Sequence, residues 1–143
     1  EQRRCVAHAL ELGLTNVTFL APVPKGDVAR YLSVTDAALV PLRKSDTFLS
    51  VIPSKIFESA SMHKPILLGV GGQAREIVDA YGAGLCFAPE DEASFLTAVN
   101  AIAQDGALRA RLVEGCEELA AAYDRNSLAL DMLKVLENIA RKP

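Results

Sequence analysis

The chain has 143 residues, of which half are apolar and 23% are charged. This size and balance are typical of one globular domain with a substantial core. The net charge of −3, the pI near 5.4 and the scattered Lys and Arg residues argue against a nucleic-acid-binding surface. No apolar run reaches the roughly 18 to 20 residues that cross a bilayer, and no signal peptide opens the chain.

The first part of the chain alternates between helix and strand patterns. Residues 2–12 predict a helix that ends at Gly13 in a left-handed cap. The β-branched and aromatic run at 16–21 predicts a buried strand. A short helix follows at 27–34 and a second strand at about 37–41, so the order predicts an α/β fold.

The second part continues the alternation and then becomes helical. We predict a third strand at 65–70, a helix at about 74–80 and a fourth strand at about 85–87. The fold class is therefore a Rossmann-like parallel sheet of about four strands, with helices on both faces and a helical C-terminus. The last helix is predicted to end near Arg141, and its apolar residues recur at helical spacing: Leu128, Met132, Val135, Leu136 and Ile139.

The cysteines and histidines carry no clear chemical pattern. Cys5, Cys86 and Cys116 lack the spacing of metal ligands, and we expect reduced, buried thiols in a cytosolic protein. His8 lies mid-helix among apolar residues and is interpreted as structural. His63 follows a helix at a position where a left-handed cap is expected, so it needs no catalytic role.

The stretch from Pro53 to Leu68 combines a short amphipathic helix with a following buried strand. Pro53 suits the beginning of the helix, because its missing N–H is not needed there, and the helix runs to about Met62. A helical projection assigns the polar residues to one side and the apolar ones to the other: Ser54, Lys55, Glu58 and Ser59 against Ile56, Phe57 and Ala60.

Within this helix, Ser54 and Glu58 are one turn apart, about 6 Å along the axis. The unpaired N–H groups of the first turn, the Ser54 hydroxyl and Lys55 suit an anion such as a diphosphate. The Glu58 carboxylate suits two ribose hydroxyls. The same pattern also fits an ordinary surface helix of any α/β protein, which the residues alone favour.

Two neighbouring segments fit a ligand site as well as a structural one. Gly69, Gly71 and Gly72 lie between a strand and a helix, where glycine lets the backbone approach a ligand, although G-x-G-G alone is a weak phosphate motif. Residues 42–52 follow a strand at the carboxyl edge of the sheet, where ligands bind in open α/β folds. They are either a loop that orders over the ligand or a plain connection.

The segments PSKIFESASMHKPIL and GVGGQAREIV resemble the signature of the C-terminal, donor-binding domain of family 4 retaining glycosyltransferases with the GT-B fold. The branch with P-S-K-x-x-E builds bacterial surface polysaccharides. LGLTNVTFLAPV, VARYLSVTDAALVPL and AGLCFAPED follow the family's order, so the resemblance covers nearly the whole chain. It implies one domain, 1–143, that lacks its own first strands and the N-terminal acceptor domain and is inactive alone.

The resemblance also implies roles for individual residues. Glu58 matches the glutamate that holds the donor ribose, and the amides at the start of its helix match those that face the diphosphate. We expect Lys55 to act with these amides in stabilising the departing diphosphate, so Lys55 and Glu58 are the catalytic candidates. Ser50 stands eight residues before Glu58, where the broader family has a first glutamate. The further donor-binding candidates are Val23 near the base, Pro53, Ser54, Ser50, Gly71, Gly72 and Glu76, the last in a G-G-x-x-E element.

As a family member, the protein would move a sugar, with retention and without a metal or other cofactor, from a nucleoside diphosphate sugar to a glycan or lipid-linked acceptor. Uridine is the expected base. No D-x-D metal motif is present, and the expected location is the cytoplasm, including the inner face of the membrane.

Two other functions remain open. A non-hydrolysing sugar-nucleotide epimerase shares the two-domain architecture, and a binding or scaffold domain would have kept the fold without the chemistry. Ser50 in place of a glutamate favours the second.

Overall fold

The computed structural model describes residues 2–140 and contains one three-stranded parallel sheet. Its strands are β1 (Ala38–Pro41), β2 (Ile66–Gly69) and β3 (Gly84–Cys86). The helices are α1 (Gln2–Glu11), α2 (Val28–Ser33), α3 (Lys55–Ser61), α4 (Gly72–Tyr81), α5 (Glu92–Gln104), α6 (Gly106–Ala122) and α7 (Arg125–Ala140). Two 3₁₀ turns, Lys25–Asp27 and Asp46–Ser50, complete the regular structure. The α/β class and the parallel sheet are confirmed.

The strands lie in the order β1, β2, β3, with Ala38 opposite Ile66 and Ile66 opposite Gly84. The central strand β2 is buried along its whole length, as expected for a parallel strand that is covered on both faces. Because side chains alternate along a strand, Ile66 and Leu68 join one core and Leu67 joins another. Helices α3 and α4 contribute to the first core, and α5 contributes to the second.

Helix α6 contributes to both cores. Cys116 and Leu119 belong to the first core, whereas Leu112 belongs to the second. The N-terminus of α6 is capped by Asp105, whose Oδ1 accepts a hydrogen bond from the Leu108 N–H at 2.8 Å. The sheet thus carries an apolar layer on each face, and α6 contributes to both.

The predicted strand at 16–21 is wrong. These residues have no regular secondary structure, and the large apolar side chains among them, Val17, Phe19 and Leu20, are 39% to 55% exposed. A strand is stable only when its N–H and C=O groups pair with a neighbour, and here β1 pairs with β2 alone within the described residues. The strand predicted fourth is therefore the third, and it begins one residue earlier, at Gly84.

The cap predicted at His63 is confirmed. His63 has φ 55°, its N–H donates to the Ala60 carbonyl at 2.9 Å, and the next N–H, of Lys64, donates to the Ser59 carbonyl at 3.0 Å. This pair of bonds is the Schellman arrangement that ends many helices. Its imidazole lies 3.3 Å from Glu117 on α6, so the side chain joins two helices at the end of α3 that lies away from the candidate site.

Helix α1 is more exposed than its pattern predicts. Ala9 is its one buried residue among those described, so His8 and Cys5 face solvent instead of an apolar core. His8 lies 3.6 Å from Glu11 on the same helix. The helix does end at Glu11 with Gly13 in the left-handed region at φ 64°, as predicted.

Helix α7 has no buried residue between Arg125 and Ala140, and its predicted end near Arg141 lies outside the described residues. Within residues 2–140, none of the helices combines the length and the apolar character of a membrane-spanning segment.

Candidate functional site

The candidate residues follow the ends of the first two strands. Parallel strands end at the same edge of a sheet, so the segments after Pro41 and Gly69 both start at this carboxyl edge. The first segment leads to α3 and the second to α4. All candidates except Val23 lie in these two segments or in the helices that follow them. Val23 lies in an irregular segment, and no hydrogen bond or ion pair among the described residues links it to the others.

Helix α3 presents Glu58 to solvent at this edge. Ser54 is the N-cap, and its hydroxyl donates a hydrogen bond to Glu58 Oε1 at 3.2 Å instead of capping the backbone. The two side chains therefore lie together on the exposed side, as the spacing predicts. Glu58 is neither buried nor paired with a cation among the described residues, so its second oxygen is open to a ligand hydroxyl.

The predicted polar side of α3 needs one correction. Ser59 is buried, together with Ile56 and Ala60, whereas it was assigned to the outer side with Glu58. Ser59 follows Ile56 by three residues and precedes Ala60 by one, so it falls within the stripe that packs on the sheet and on α6. It is therefore a packing residue and not part of the site.

The backbone at the start of α3 offers fewer free donors than predicted. The N–H of Ile56 donates to the Pro53 carbonyl, and the N–H groups of Phe57 and Glu58 donate to the Ser54 carbonyl, all at 3.1 Å. The N–H groups of Ser54 and Lys55 form no hydrogen bond with another described residue. Lys55 is exposed and forms no ion pair in the described part of the chain. An anion would therefore meet two amides and one ammonium group.

Helix α4 begins at a pair of glycines that contact the loop after β1. A Cβ on Gly72, whose φ is 62°, would lie 1.9 Å from the Leu49 carbonyl oxygen. A Cβ on Gly71 would lie 3.2 Å from Leu49 Cδ2. The sequence predicts that these glycines let the backbone approach a ligand, and within residues 2–140 the group that approaches them is the chain's own 3₁₀ turn, Asp46–Ser50. The loop after β1 is thus packed over the start of α4.

Two further candidates lie close in sequence to this contact: Ser50 follows Leu49, and Glu76 follows Gly72 by four residues. Ser50 is exposed at the end of the 3₁₀ turn, and its hydroxyl donates to the Thr47 carbonyl at 3.4 Å. Glu76 is exposed on α4, but the helix begins at Gly72 and not at residue 74. Glu76 is therefore in the second turn, where the interaction with the helix dipole is weak.

One hydrogen bond at the carboxyl edge is not predicted by the sequence analysis. The backbone N–H of Lys44 donates to Glu90 Oε1 at 3.4 Å, across 46 residues. It joins the loop after β1 to the turn after β3. The sequence offers only an indirect signal for it, a proline followed by a glutamate in the turn APED.

The described residues contain no group of three or more His, Cys, Asp or Glu side chains arranged to hold a metal ion. The candidate positive groups at the start of α3 are Lys55 and the free amides of Ser54 and Lys55.

A family model described as "Glycosyl transferases group 1" matches residues 1–118. The match covers the three strands, the two segments at the carboxyl edge and most of α6. Comparison with curated proteins finds no significant match, and comparison with solved structures finds none either.

Proposed function

The chain belongs to the group 1 glycosyl transferases, and we propose that it is the donor-binding domain of a retaining, two-domain enzyme with the GT-B fold. The proposed branch is family 4, which transfers sugars in bacterial surface-polysaccharide synthesis at the cytoplasmic side of the membrane. The proposed donor is a UDP-sugar and the acceptor is a glycan or a lipid-linked glycan. The observation that carries the proposal is the exposed Glu58, one turn after the start of α3 at the carboxyl edge of the sheet.

In this proposal Glu58 binds the donor ribose. The carboxylate already accepts one hydroxyl hydrogen, from Ser54 at 3.2 Å, so its orientation suits hydroxyl donors. A carboxylate can accept several hydrogen bonds at once, and two vicinal ribose hydroxyls match its two oxygens. Ser54 would then either keep its bond or turn its hydroxyl toward the diphosphate.

We propose that the diphosphate of the donor binds at the start of α3. The free N–H groups of Ser54 and Lys55 and the Lys55 ammonium are positive groups that face no acidic partner among the described residues. They would stabilise the negative charge that develops on the leaving diphosphate, which accelerates the transfer electrostatically. For this reason the proposed reaction uses no metal ion. The glycines Gly71 and Gly72 would contribute backbone at the same edge.

The remaining candidates complete the donor site. Val23 and its neighbours are proposed to contact the base through main-chain groups, and Pro53 fixes the entry to α3. Ser50 supplies a neutral hydroxyl near the donor sugar where the resembling family has a glutamate, and Glu76 is a second contact. These roles predict that substitutions of Ser50 and Glu76 weaken binding of the sugar part of the donor more than binding of its nucleotide part.

The test is a comparison of two ligands and three proteins by isothermal titration calorimetry. UDP and 2′,3′-dideoxy-UDP are titrated into the full-length protein, its Glu58→Ala variant and the control Glu114→Ala. Glu114 is an exposed glutamate on α6 that borders the opposite edge of the sheet. A hydrogen bond to a charged group contributes about 1.5–3 kcal/mol, so Glu58→Ala should weaken UDP binding roughly 10- to 100-fold.

The second ligand identifies the cause of that loss. Wild type should prefer UDP to dideoxy-UDP, whereas Glu58→Ala should bind both with similar affinity, because the partner of the hydroxyls is gone. Glu114→Ala should behave as wild type. Equal UDP affinity for wild type and Glu58→Ala would refute the ribose role, and failure of wild type to bind UDP would refute the proposed UDP-sugar donor site.

A further inference from the structure

Glu90 occupies a turn position that favours glycine. The turn runs from Ala88 to Asp91, and the Asp91 N–H donates to the Ala88 carbonyl at 3.2 Å. Pro89 is its second residue, and Glu90, the third, has φ 63°. Proline followed by a residue with positive φ is the pattern of a type II turn, where the third position is usually Gly or Asn. A glutamate at this backbone conformation is strained.

The strained residue reaches across the carboxyl edge of the sheet. Its Oε1 accepts the hydrogen bond from the Lys44 N–H at 3.4 Å, and Lys44 is the third residue after β1. Glu90 itself follows β3. Since β1 and β3 flank β2, the Lys44–Glu90 bridge connects the segments that leave the two outer strands. A glycine at position 90 would relieve the strain but could not form this bridge.

The same loop has a second attachment further along. The backbone of Leu49 packs on Gly72, and its side chain packs near Gly71. The loop of residues 43–50, which includes the 3₁₀ turn Asp46–Ser50, is therefore attached at two points, Lys44 near its beginning and Leu49 near its end. Ser50 belongs to this loop, and α3 begins five residues later, so the position of the loop sets the position of Ser50 and of the entry to α3.

We propose that Glu90 is a positioning residue, which holds the loop of residues 43–50 in the arrangement that binds the donor. The proposal rests on the donor-binding function proposed above. Glu90 acts on donor binding through the loop and does not itself contact the donor. The bridge is exposed to solvent, so we expect its loss to have a moderate effect on the order of the loop. The most direct measurement of that effect is hydrogen exchange of the loop amides.

Three substitutions separate the bridge from the backbone strain. Glu90→Gln keeps a side-chain oxygen that can accept the Lys44 N–H. Glu90→Ala removes the acceptor and keeps a β-carbon at positive φ. Glu90→Gly removes the acceptor and relieves the strain, so a defect in Glu90→Gly cannot be due to backbone strain at this position.

The first measurement is amide hydrogen exchange over residues 43–50 in the full-length protein without ligand. Loss of one hydrogen bond should accelerate exchange of these amides roughly two- to tenfold in Glu90→Ala and Glu90→Gly. Glu90→Gln should exchange at the wild-type rate, while amides of the central strand β2 serve as the internal reference. Unchanged exchange in both Ala and Gly variants would overturn the positioning role, whatever the protein binds.

The second measurement is UDP affinity by calorimetry on the same proteins. Glu90→Ala and Glu90→Gly should bind UDP about two- to tenfold more weakly than wild type, because the free loop must be ordered on binding. Glu90→Gln should restore the affinity. Faster exchange with unchanged UDP affinity would overturn the link to the donor site. If wild-type protein does not bind UDP, the proposed UDP-sugar donor function is wrong, and so is the inference that depends on it.

Discussion

The thiols of Cys86 and Cys116 are held in the protonated state by their surroundings. Burial and the carboxylate of Asp79, which accepts the Cys86 thiol hydrogen at 3.3 Å, together raise the pKa of Cys86 to about 12 against the opposing charge of Arg75. Burial, with the charge of Glu117, likewise raises the pKa of Cys116 to about 12. Cys116 donates to the Ala83 carbonyl at 3.2 Å. Both groups act as small core residues and not as nucleophiles.

These two pKa values predict a loss of stability in alkaline solution. An unfolded thiol ionises near pH 9.0, while the folded ones ionise near pH 12. Between these values the unfolded chain binds fewer protons, so the free energy of unfolding falls as pH rises, and below pH 8 the thiols have no effect. Urea denaturation at pH 7, 8, 9 and 10 measures this slope. The Cys86→Ala/Cys116→Ala variant should show a flatter slope, and an identical slope would contradict the assignment.

At the scale of elements, α6 approaches the end of α4 closely at Gly115. A Cβ at this position would lie 2.3 Å from the Tyr81 carbonyl oxygen and 2.4 Å from that of Gly82. Both are backbone atoms at the C-terminus of α4, so they cannot move aside as a flexible side chain would. The absence of a side chain at Gly115 therefore sets the distance between two helices that support the site.

We predict that Gly115→Ala destabilises the protein although alanine favours helix. Helix propensity alone would add about 1 kcal/mol of stability, but the overlap with two carbonyl groups should cost more, for a net loss of about 1–3 kcal/mol. Gly106→Ala is the matched control in the same helix, because nothing lies within 4 Å of its Cβ position. Chemical denaturation compares the two, and equal stability of both variants would show that the helices separate without cost.

Helices and their ends were predictable because the signals are local. Gly13 and His63 end α1 and α3 as predicted, and β1 lies within one residue of its predicted bounds. The segment 16–21 was not predictable, because its composition suits a strand but does not reveal whether a sheet edge is available to it. The residues that favour a strand are neighbours in the sequence, whereas the strand with which they must pair is distant in the sequence.

The candidate site also has features that local sequence patterns predict and features that they do not. The proximity of Ser54 and Glu58 follows from helical spacing and is confirmed by their hydrogen bond. The contact of Leu49 with Gly72 and the bridge from Lys44 to Glu90 depend on the path of a loop, which no periodicity describes. The chemical roles of Lys55 and Glu58 stay predictions, since they concern a ligand.

At the scale of the whole molecule, the apolar side of α7 is exposed to solvent. The predicted apolar residues of this helix are 47% to 65% exposed: Leu128, Met132, Val135, Leu136 and Ile139. A helix of 16 residues is marginal without tertiary packing, and an apolar stripe of this length is typical of an interface. We therefore expect α7 to be covered in the working enzyme, by the acceptor-side domain of the proposed two-domain protein.

This expectation predicts different behaviour of α7 in two protein samples. In the 143-residue chain alone, the exposed stripe should bind an apolar dye and promote self-association, and the α7 amides should exchange rapidly. In the full-length protein the same amides should be protected. Replacing Met132 and Ile139 by Gln should lower dye binding of the short chain, whereas Leu96→Gln, at one exposed leucine of α5, should change it little. Equal exchange of α7 in the short and full-length proteins would contradict docking of this helix, because a covered helix cannot open as readily as a free one.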